Sequence, residues 1–389
     1  MFKTDSNTNT NSEINFYDFK EKILNDYKLA VLSRECSLLG RKEVLTGKAK
    51  FGVFGDGKEL PQVVLNHFFK EGDFRAGYYR DQTILMGQNL LSPKQFFSAL
   101  YACPDIKEEP MSGGRQMGAH FVTPSINNRG EWLDLTTQYN HSSDISPTAG
   151  QIPRSIGLAL ASKLYRSLDS EIKNKFTTKG NEICWATIGN ASTSQGIFFE
   201  AMNAAAVIQI PLIMNVWDDG YGISVDNKIQ TVKSSISEAL SGFAGINDDK
   251  PLKIFRVNGW DYTAMIKVYS EAEKIARNNH TPVLIHIDEL TQPLGHSTSG
   301  SHQRYKSAKR LKWEEDFDCN VKFKQWIIEN NLGTNEELKE IEELCKNIVK
   351  ESRIEAWESY QKPIRDLNLE LIGILNKLVD TYNNDVNLK

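Results

Sequence analysis

Two short segments of this chain offer oxygen ligands at the ends of apolar runs: Gly189-Asn190-Ala191-Ser192 and Asp218-Asp219-Gly220-Tyr221. The first follows the run 183–188 and leads into Thr193-Ser194-Gln195-Gly196, where a helix is expected to start. Small residues at such a turn let backbone N–H groups approach a phosphate, and the helix N-terminus adds positive potential. The second segment closes the run 212–216. Mg2+ takes about six oxygens in a near-octahedral array and borrows several of them from a ligand's phosphates. A side-chain oxygen from each strand end, with a backbone carbonyl, leaves room for phosphate oxygens and a water. Adjacent acids before a glycine also start ordinary turns, and many α/β proteins make a turn like the first.

The elements that would position these segments follow from hydrophobic periodicity. From Gly150 the pattern alternates: helix 156–166, strand 183–188, helix 194–209, strand 212–216, strand 252–257, helix 262–277 and strand 282–287. Strands alternating with helices indicate an α/β fold, a parallel sheet with helices on both faces. Ligands of such sheets bind at the carboxyl ends of the strands. Upstream, apolar residues at helical spacing over 17–45 (Phe19, Ile23, Tyr27, Val31, Leu38 among them) predict two helical stretches. The Gly-rich loop FGVFGDGKELPQ leads into a helix near 63–69, and residues 104–147 are dominated by loop punctuation. The chain divides into an Asn/Ser/Thr-rich N-terminus expected to be disordered (1–15), a main domain (16–332) and a helical C-terminal tail (333–389). That tail is expected to be a solvated appendage or a contact to a second subunit.

Bulk composition narrows the function. Over 389 residues, 40% hydrophobic and 25% charged, the chain has a core of ordinary size, and its net charge of −4 gives no reason to expect nucleic acid or an anionic membrane as partner. Its five cysteines form no C-x-x-C pair, and an odd number argues against a disulfide framework. The first 15 residues lack the basic start and apolar stretch of a secretory signal. The most apolar segment, 201–217, is interrupted by Asn203, Gln209, Pro211 and Asn215, which argues against a membrane span. A cytoplasmic location is expected.

The ordered motifs resemble those of thiamin diphosphate enzymes, and more closely the α subunit of the decarboxylating component of 2-oxo acid dehydrogenase complexes. There the pattern runs G-D-G-A-x-x-[EQ]-G, then E-A-x-N, then N-N-x-Y-x-[IM]-S. Here the counterparts are GNASTSQG, Glu200-Ala201-Met202-Asn203 and DDGYGIS. The resemblance runs roughly from Tyr17 to Leu332 and leans to branched-chain members and to those with fused α and β halves. It implies a thiamin diphosphate-binding fold, with Mg2+ held by Asn190, Asp219 and the carbonyl of Tyr221, and with Gly189, Ala191 and Ser192 at the cofactor. The family's Asp is Asn190 here and its second Asn is Asp219. The paired change restores one carboxylate and one amide oxygen, an exchange rather than a loss. Asp218 beside it adds charge or serves only the turn.

Further motifs point to the same cofactor. Tyr79-Arg80, within Tyr78-Tyr79-Arg80-Asp81-Gln82, resembles the family's diphosphate-binding pair, and arginine offers a fork suited to phosphate oxygens. Gly114-Arg115-Gln116-Met117, with His120 after it, resembles the GRQM segment of branched-chain members. Ser146 and Thr148 lie in SPTAGQIP, which resembles S-P-L-A-T-Q-I-P, the segment that contacts the aminopyrimidine. Gly150 replaces a potassium-binding Thr, so no potassium is expected. His296, in GHSTS, resembles the loop histidine near the cofactor and is the catalytic candidate, whereas His280 and His286 are expected to be structural. Gln292 and Trp217 stand where relatives carry arginines, so two positive charges are missing.

The resemblance implies decarboxylation of a 2-oxo acid, branched-chain substrates such as 2-oxoisovalerate ahead of pyruvate, with acyl transfer to a lipoyl group on an acyltransferase core. It also implies that the glutamate activating the cofactor belongs to a β subunit, so that the cofactor lies at the interface of a heterotetramer. The alternatives are another thiamin diphosphate reaction, such as acetoin cleavage or a transketolase-like transfer, and a non-catalytic partner subunit that keeps the fold.

Overall fold

The computed structural model describes residues 15–116, 118–168, 170–175, 180–245, 251–298 and 300–382. Six parallel strands form the central sheet: β1 (Phe74–Ala76), β2 (Asn140–His141), β3 (Cys184–Gly189), β4 (Leu212–Trp217), β7 (Lys253–Asn258) and β8 (Val283–Asp288), in the order β2-β1-β3-β4-β8-β7. A separate antiparallel hairpin pairs β5 (Tyr221–Gly222) with β6 (Val225–Asp226). Every residue of β4 and β8 is buried, as a parallel strand covered on both faces requires. The side chains alternate between two cores: Trp185, Ile213 and Ile285 face one, Cys184, Ala186, Met214 and Leu284 the other. The helices Gln151–Ser167 and Gly196–Ile208 cover the second core, and the helices Phe16–Leu45, Glu59–Asn66 and Tyr262–Asn279 cover the first.

Strand register builds the site. Ile188 pairs with Val216 and Gly189 with Trp217, so β3 and β4 end level and release Asn190 and Asp218-Asp219 side by side. Ala76 pairs with Ala186, which brings the Tyr78–Arg80 turn out at the same edge of the sheet. The chain therefore gathers all three segments at the carboxyl ends of adjacent strands.

Several expectations are corrected. The two helical stretches over 17–45 are one helix, Phe16–Leu45, capped by the Asn15 side chain accepting from the Tyr17 N–H at 3.2 Å. Gly40 does not break it. A Cβ there would meet the Phe54 ring at 2.9 Å, so the glycine admits that ring against the helix. The helix near 63–69 is Glu59–Asn66. β1 and β2, of three and two residues, are too short to leave a periodic signal, and β2 lies inside the loop-rich stretch. The expected disorder of the N-terminus falls outside the described residues except at Asn15.

The amphipathic segments of the tail are a single helix, Asn335–Tyr382, with Pro363 inside it. Its first half buries Leu338, Cys345, Val349 and Ala356 against the Phe16–Leu45 helix and the helix Pro93–Leu100. Its second half, from Lys362, is exposed throughout, Ile364, Leu371 and Leu378 included. Among the described residues no helix is long and apolar enough to cross a membrane.

Candidate functional site

A cavity of about 330 Å³ opens where β3 and β4 end. The β3 exit forms one wall: Gly189, Asn190, Ala191 and Ser192, of which residues 190–194 make a tight 3-10 turn before the helix Gly196–Ile208. The β4 exit forms another, with Trp217, Asp219, Tyr221 and the hairpin residues Gly222 and Ile223. Gly222 is pressed onto the first turn. A Cβ there would lie 2.5 Å from that of Ala191, so no larger residue keeps the hairpin in place. Tyr79, Arg80, Thr148 and His296 come from other loops to complete the enclosure.

The two acids after β4 have different tasks. Asp218 turns away from the cavity: it accepts from the Gly220 N–H at 2.8 Å, from His286 Nε2 at 2.8 Å and from Asn227 Nδ2 at 2.9 Å. Because a carboxylate only accepts, Asn227 must present its NH2 group to Asp218 and its oxygen elsewhere. That oxygen receives Asn190 Nδ2 at 2.6 Å, which leaves Asn190 Oδ1 as its free ligand atom. Ser237 Oγ lies 2.8 Å from His286 Nδ1 and completes the buried chain. Asp219 faces the cavity. Its Oδ1 accepts from the Tyr221 N–H at 3.1 Å, and its carbonyl accepts from Arg310 Nη2 at 2.8 Å.

Lys58 is the residue that no motif singled out. It comes from the Gly-rich loop, is 1% exposed, and donates to Asp219 Oδ2 at 2.6 Å, to the Thr291 carbonyl at 2.7 Å and to Gln292 Oε1 at 2.5 Å. Burial opposes charge on Asp219, but Lys58, together with Arg80 and Lys306, outweighs it and holds that carboxyl below the usual aspartate value. Burial also pulls the Lys58 ammonium below the usual lysine value, against Asp219. A cation thus lies beside Gln292, where the family arginine is missing.

Arg80, 4% exposed, donates from Nη1 to the Phe54 carbonyl at 2.5 Å and from Nη2 to the His296 carbonyl at 3.0 Å, with His296 Nδ1 also 3.0 Å away. Burial first and Arg80 second push His296 down to about 4, so the ring is neutral near pH 7. Its Nδ1 accepts from Arg80, which leaves the proton on Nε2. Asp81, fully buried, accepts from Arg75 Nε at 2.8 Å, from Trp217 Nε1 at 3.1 Å and from the Thr187 hydroxyl, tying the ends of β1, β3 and β4 together.

Comparison with known proteins gives the family. The dehydrogenase E1 component family matches residues 27–365. The chain belongs to this family. It is 26% identical over 316 residues to the "2-oxoisovalerate dehydrogenase subunit alpha" of Bacillus subtilis (strain 168), covering 80% of this chain and 83% of the relative. It is 27% identical over 308 residues to the mitochondrial "2-oxoisovalerate dehydrogenase subunit alpha" of Caenorhabditis elegans, covering 78% of this chain and 62% of the relative. To the "Pyruvate dehydrogenase E1 component subunit alpha" of Rickettsia bellii (strain RML369-C) it is 26% identical over 202 residues, 52% of this chain and 55% of the relative. The chain thus spans most of the first relative and less than two thirds of the other two.

In this chain the expected cofactor residues Tyr79, Arg80, Thr148, Gly189, Ala191, Ser192 and His296 line one cavity with the expected metal ligands Asn190, Asp219 and Tyr221. Ser146 is not part of that lining; its hydroxyl lies 3.1 Å from His120 Nε2. Trp217 lines the cavity but directs its indole N–H into the core at Asp81, so it supplies no phosphate contact there. His286, inside β8, serves the Asp218 chain, as its place in a strand suggested. Met117 of the GRQM segment lies outside the described residues. E1 components depend on thiamin diphosphate, and the donor set here suits the metal end of such a cofactor. Among the described residues no group of three or more His, Cys, Asp or Glu gathers around a point. One carboxylate with neutral oxygens fits Mg2+ when phosphate oxygens complete the shell.

Proposed function

We propose that this chain is the diphosphate-binding α subunit of a 2-oxo acid dehydrogenase E1 component, acting on a branched-chain 2-oxo acid such as 2-oxoisovalerate in preference to pyruvate. The observation that carries this reading is the convergence of Arg80, Lys58, Asn190 and Asp219 on one cavity at the ends of β3 and β4. Asn190 Oδ1, an Asp219 oxygen and the Tyr221 carbonyl would hold Mg2+, and Arg80 with the β3 turn would receive the diphosphate. When bound, thiamin diphosphate supplies the carbanion chemistry that decarboxylation of a 2-oxo acid needs. The chain's own contributions are orientation and electrostatics. His296 holds a proton at Nε2 and can donate it in a hydrogen bond to a substrate oxygen. The buried Asp218–Asn227 chain fixes the metal-side amide before any ligand arrives.

The residues that hold the pyrimidine end of the cofactor are expected to come from a β subunit. Ile223, Val225, Ile229 and Val232, beside the cavity, are 63%, 40%, 81% and 70% exposed, an apolar rim suited to a second chain. A lipoyl group on an acyltransferase core is the expected acyl acceptor. The five cysteines are buried and free, which suits a cytoplasmic setting. Steady-state rates with 2-oxoisovalerate, pyruvate and 2-oxoglutarate test the proposal. Turnover of 2-oxoisovalerate is expected only with the β partner present, with pyruvate slower. Full turnover by the chain alone, or a preference for 2-oxoglutarate, would contradict it.

A further inference from the structure

The Gly-rich loop drives a cation into the cavity between two backbones. A Cβ on Gly55 would lie 2.5 Å from the Arg80 carbonyl oxygen, and one on Gly57 would lie 2.1 Å from that of Thr291. Gly57 also has φ +81, a conformation that suits glycine. The loop passes through this gap because it lacks side chains there, and Lys58 follows with its stem buried. The ammonium meets three acceptors, as many as it has N–H donors. Two of them are held in place, a backbone carbonyl and the buried Gln292 amide. The third, Asp219, sits on a turn at the cavity wall with its side chain 12% exposed.

We infer that the Lys58–Asp219 ion pair holds the place of a metal-bound diphosphate: when that ligand enters, Asp219 turns its oxygen to the divalent cation and Lys58 gives the released N–H to a phosphate oxygen. The inference rests on the reading of this cavity as a diphosphate site. It also assigns Lys58 the positive charge that Gln292 lacks. Charges stay matched throughout: lysine with aspartate before, lysine with phosphate and aspartate with metal after. A cation arriving alone would strip Lys58 of its partner beside a dication, and a diphosphate arriving alone would leave Asp219 facing an anion. Removing one partner of a buried pair is costly, so each ligand should bind weakly by itself and the two together strongly.

Calorimetry on the full chain, with inorganic pyrophosphate in EDTA, Mg2+ alone and both together, tests this. The wild-type chain is expected to bind the two cooperatively. Lys58→Gln should tighten Mg2+ alone by about tenfold and weaken pyrophosphate by a similar factor; Asp219→Asn should do the reverse. If either single variant fails to fold, the double variant K58Q/D219N, which buries no lone charge, carries the test through reduced cooperativity, the remainder coming from direct contact of Mg2+ with phosphate oxygens. Parallel weakening of both ligands in the single variants, or undiminished cooperativity in the double variant, would mark the pair as merely structural and overturn the inference. In that event tight wild-type binding of thiamin diphosphate with Mg2+ would leave the diphosphate reading standing. A wild-type chain that binds neither pyrophosphate nor thiamin diphosphate would sink both.

Discussion

Burial and the neighbouring guanidinium of Arg80 give His296 an ionisation unlike that of a free histidine, and a pH measurement can detect it. His296 is pushed down to about 4, and burial with Arg166 pushes His280 down to about 4 as well. In the unfolded chain both titrate near about 6.5. A depressed folded value means that the unfolded state takes up protons first, so stability is fully present above about 6.5 and is lost as pH falls towards 4. The melting temperature is expected to fall over that window, and His296→Asn should flatten the slope. An unchanged slope would place the His296 ring in solvent rather than against Arg80.

The same residues show what the sequence could reveal. Asn190, Asp219, Arg80 and His296 stand in short ordered motifs, and residue type with order marks them. Lys58 stands in none, because its role comes from a loop that passes between Arg80 and Thr291, far apart in the chain. Asn227 was hidden for the same reason. Its meaning lies in the two partners, Asp218 and Asn190, that the fold brings to it.

Among the elements, the β3 and β4 exits depend on a brace that crosses from one strand to the next. His286 on β8 anchors Asp218 after β4, Asp218 anchors Asn227 after the β5–β6 hairpin, and Asn227 anchors Asn190 after β3. Asn227→Ala removes the middle of this brace and frees the Asn190 amide to rotate. The expected result is about a tenfold loss of Mg2+-dependent thiamin diphosphate affinity, measured by calorimetry, with the secondary structure unchanged. Equal affinity in the variant would show that Asn190 needs no such hold. The buried strands β3, β4 and β8 were legible as short, mostly apolar runs. The short β1 and β2 were not, since β1 is held by pairing with β3 and β2 by pairing with β1 rather than by any pattern of their own. The single C-terminal helix was legible as helix, but not how far it packs, because its apolar residues recur as often in the exposed half as in the buried one.

For the whole molecule, two cores clamp one parallel sheet and leave its carboxyl edge as the place where loops from distant parts of the chain meet. The edge gathers Arg80, Lys58 and the Asn190/Asp219 pair, and beside it lies the apolar rim that a second chain can cover. On the proposed reading this edge binds a diphosphate and not merely an organic cation. Titration of thiamin diphosphate and of thiamin, each with Mg2+, into the chain assembled with the proposed β partner separates the two. Saturable binding of thiamin diphosphate is expected, with thiamin far weaker and Arg80→Ala losing most of the difference. Equal affinity for thiamin and thiamin diphosphate, or no binding of either, would show that the edge is no diphosphate site.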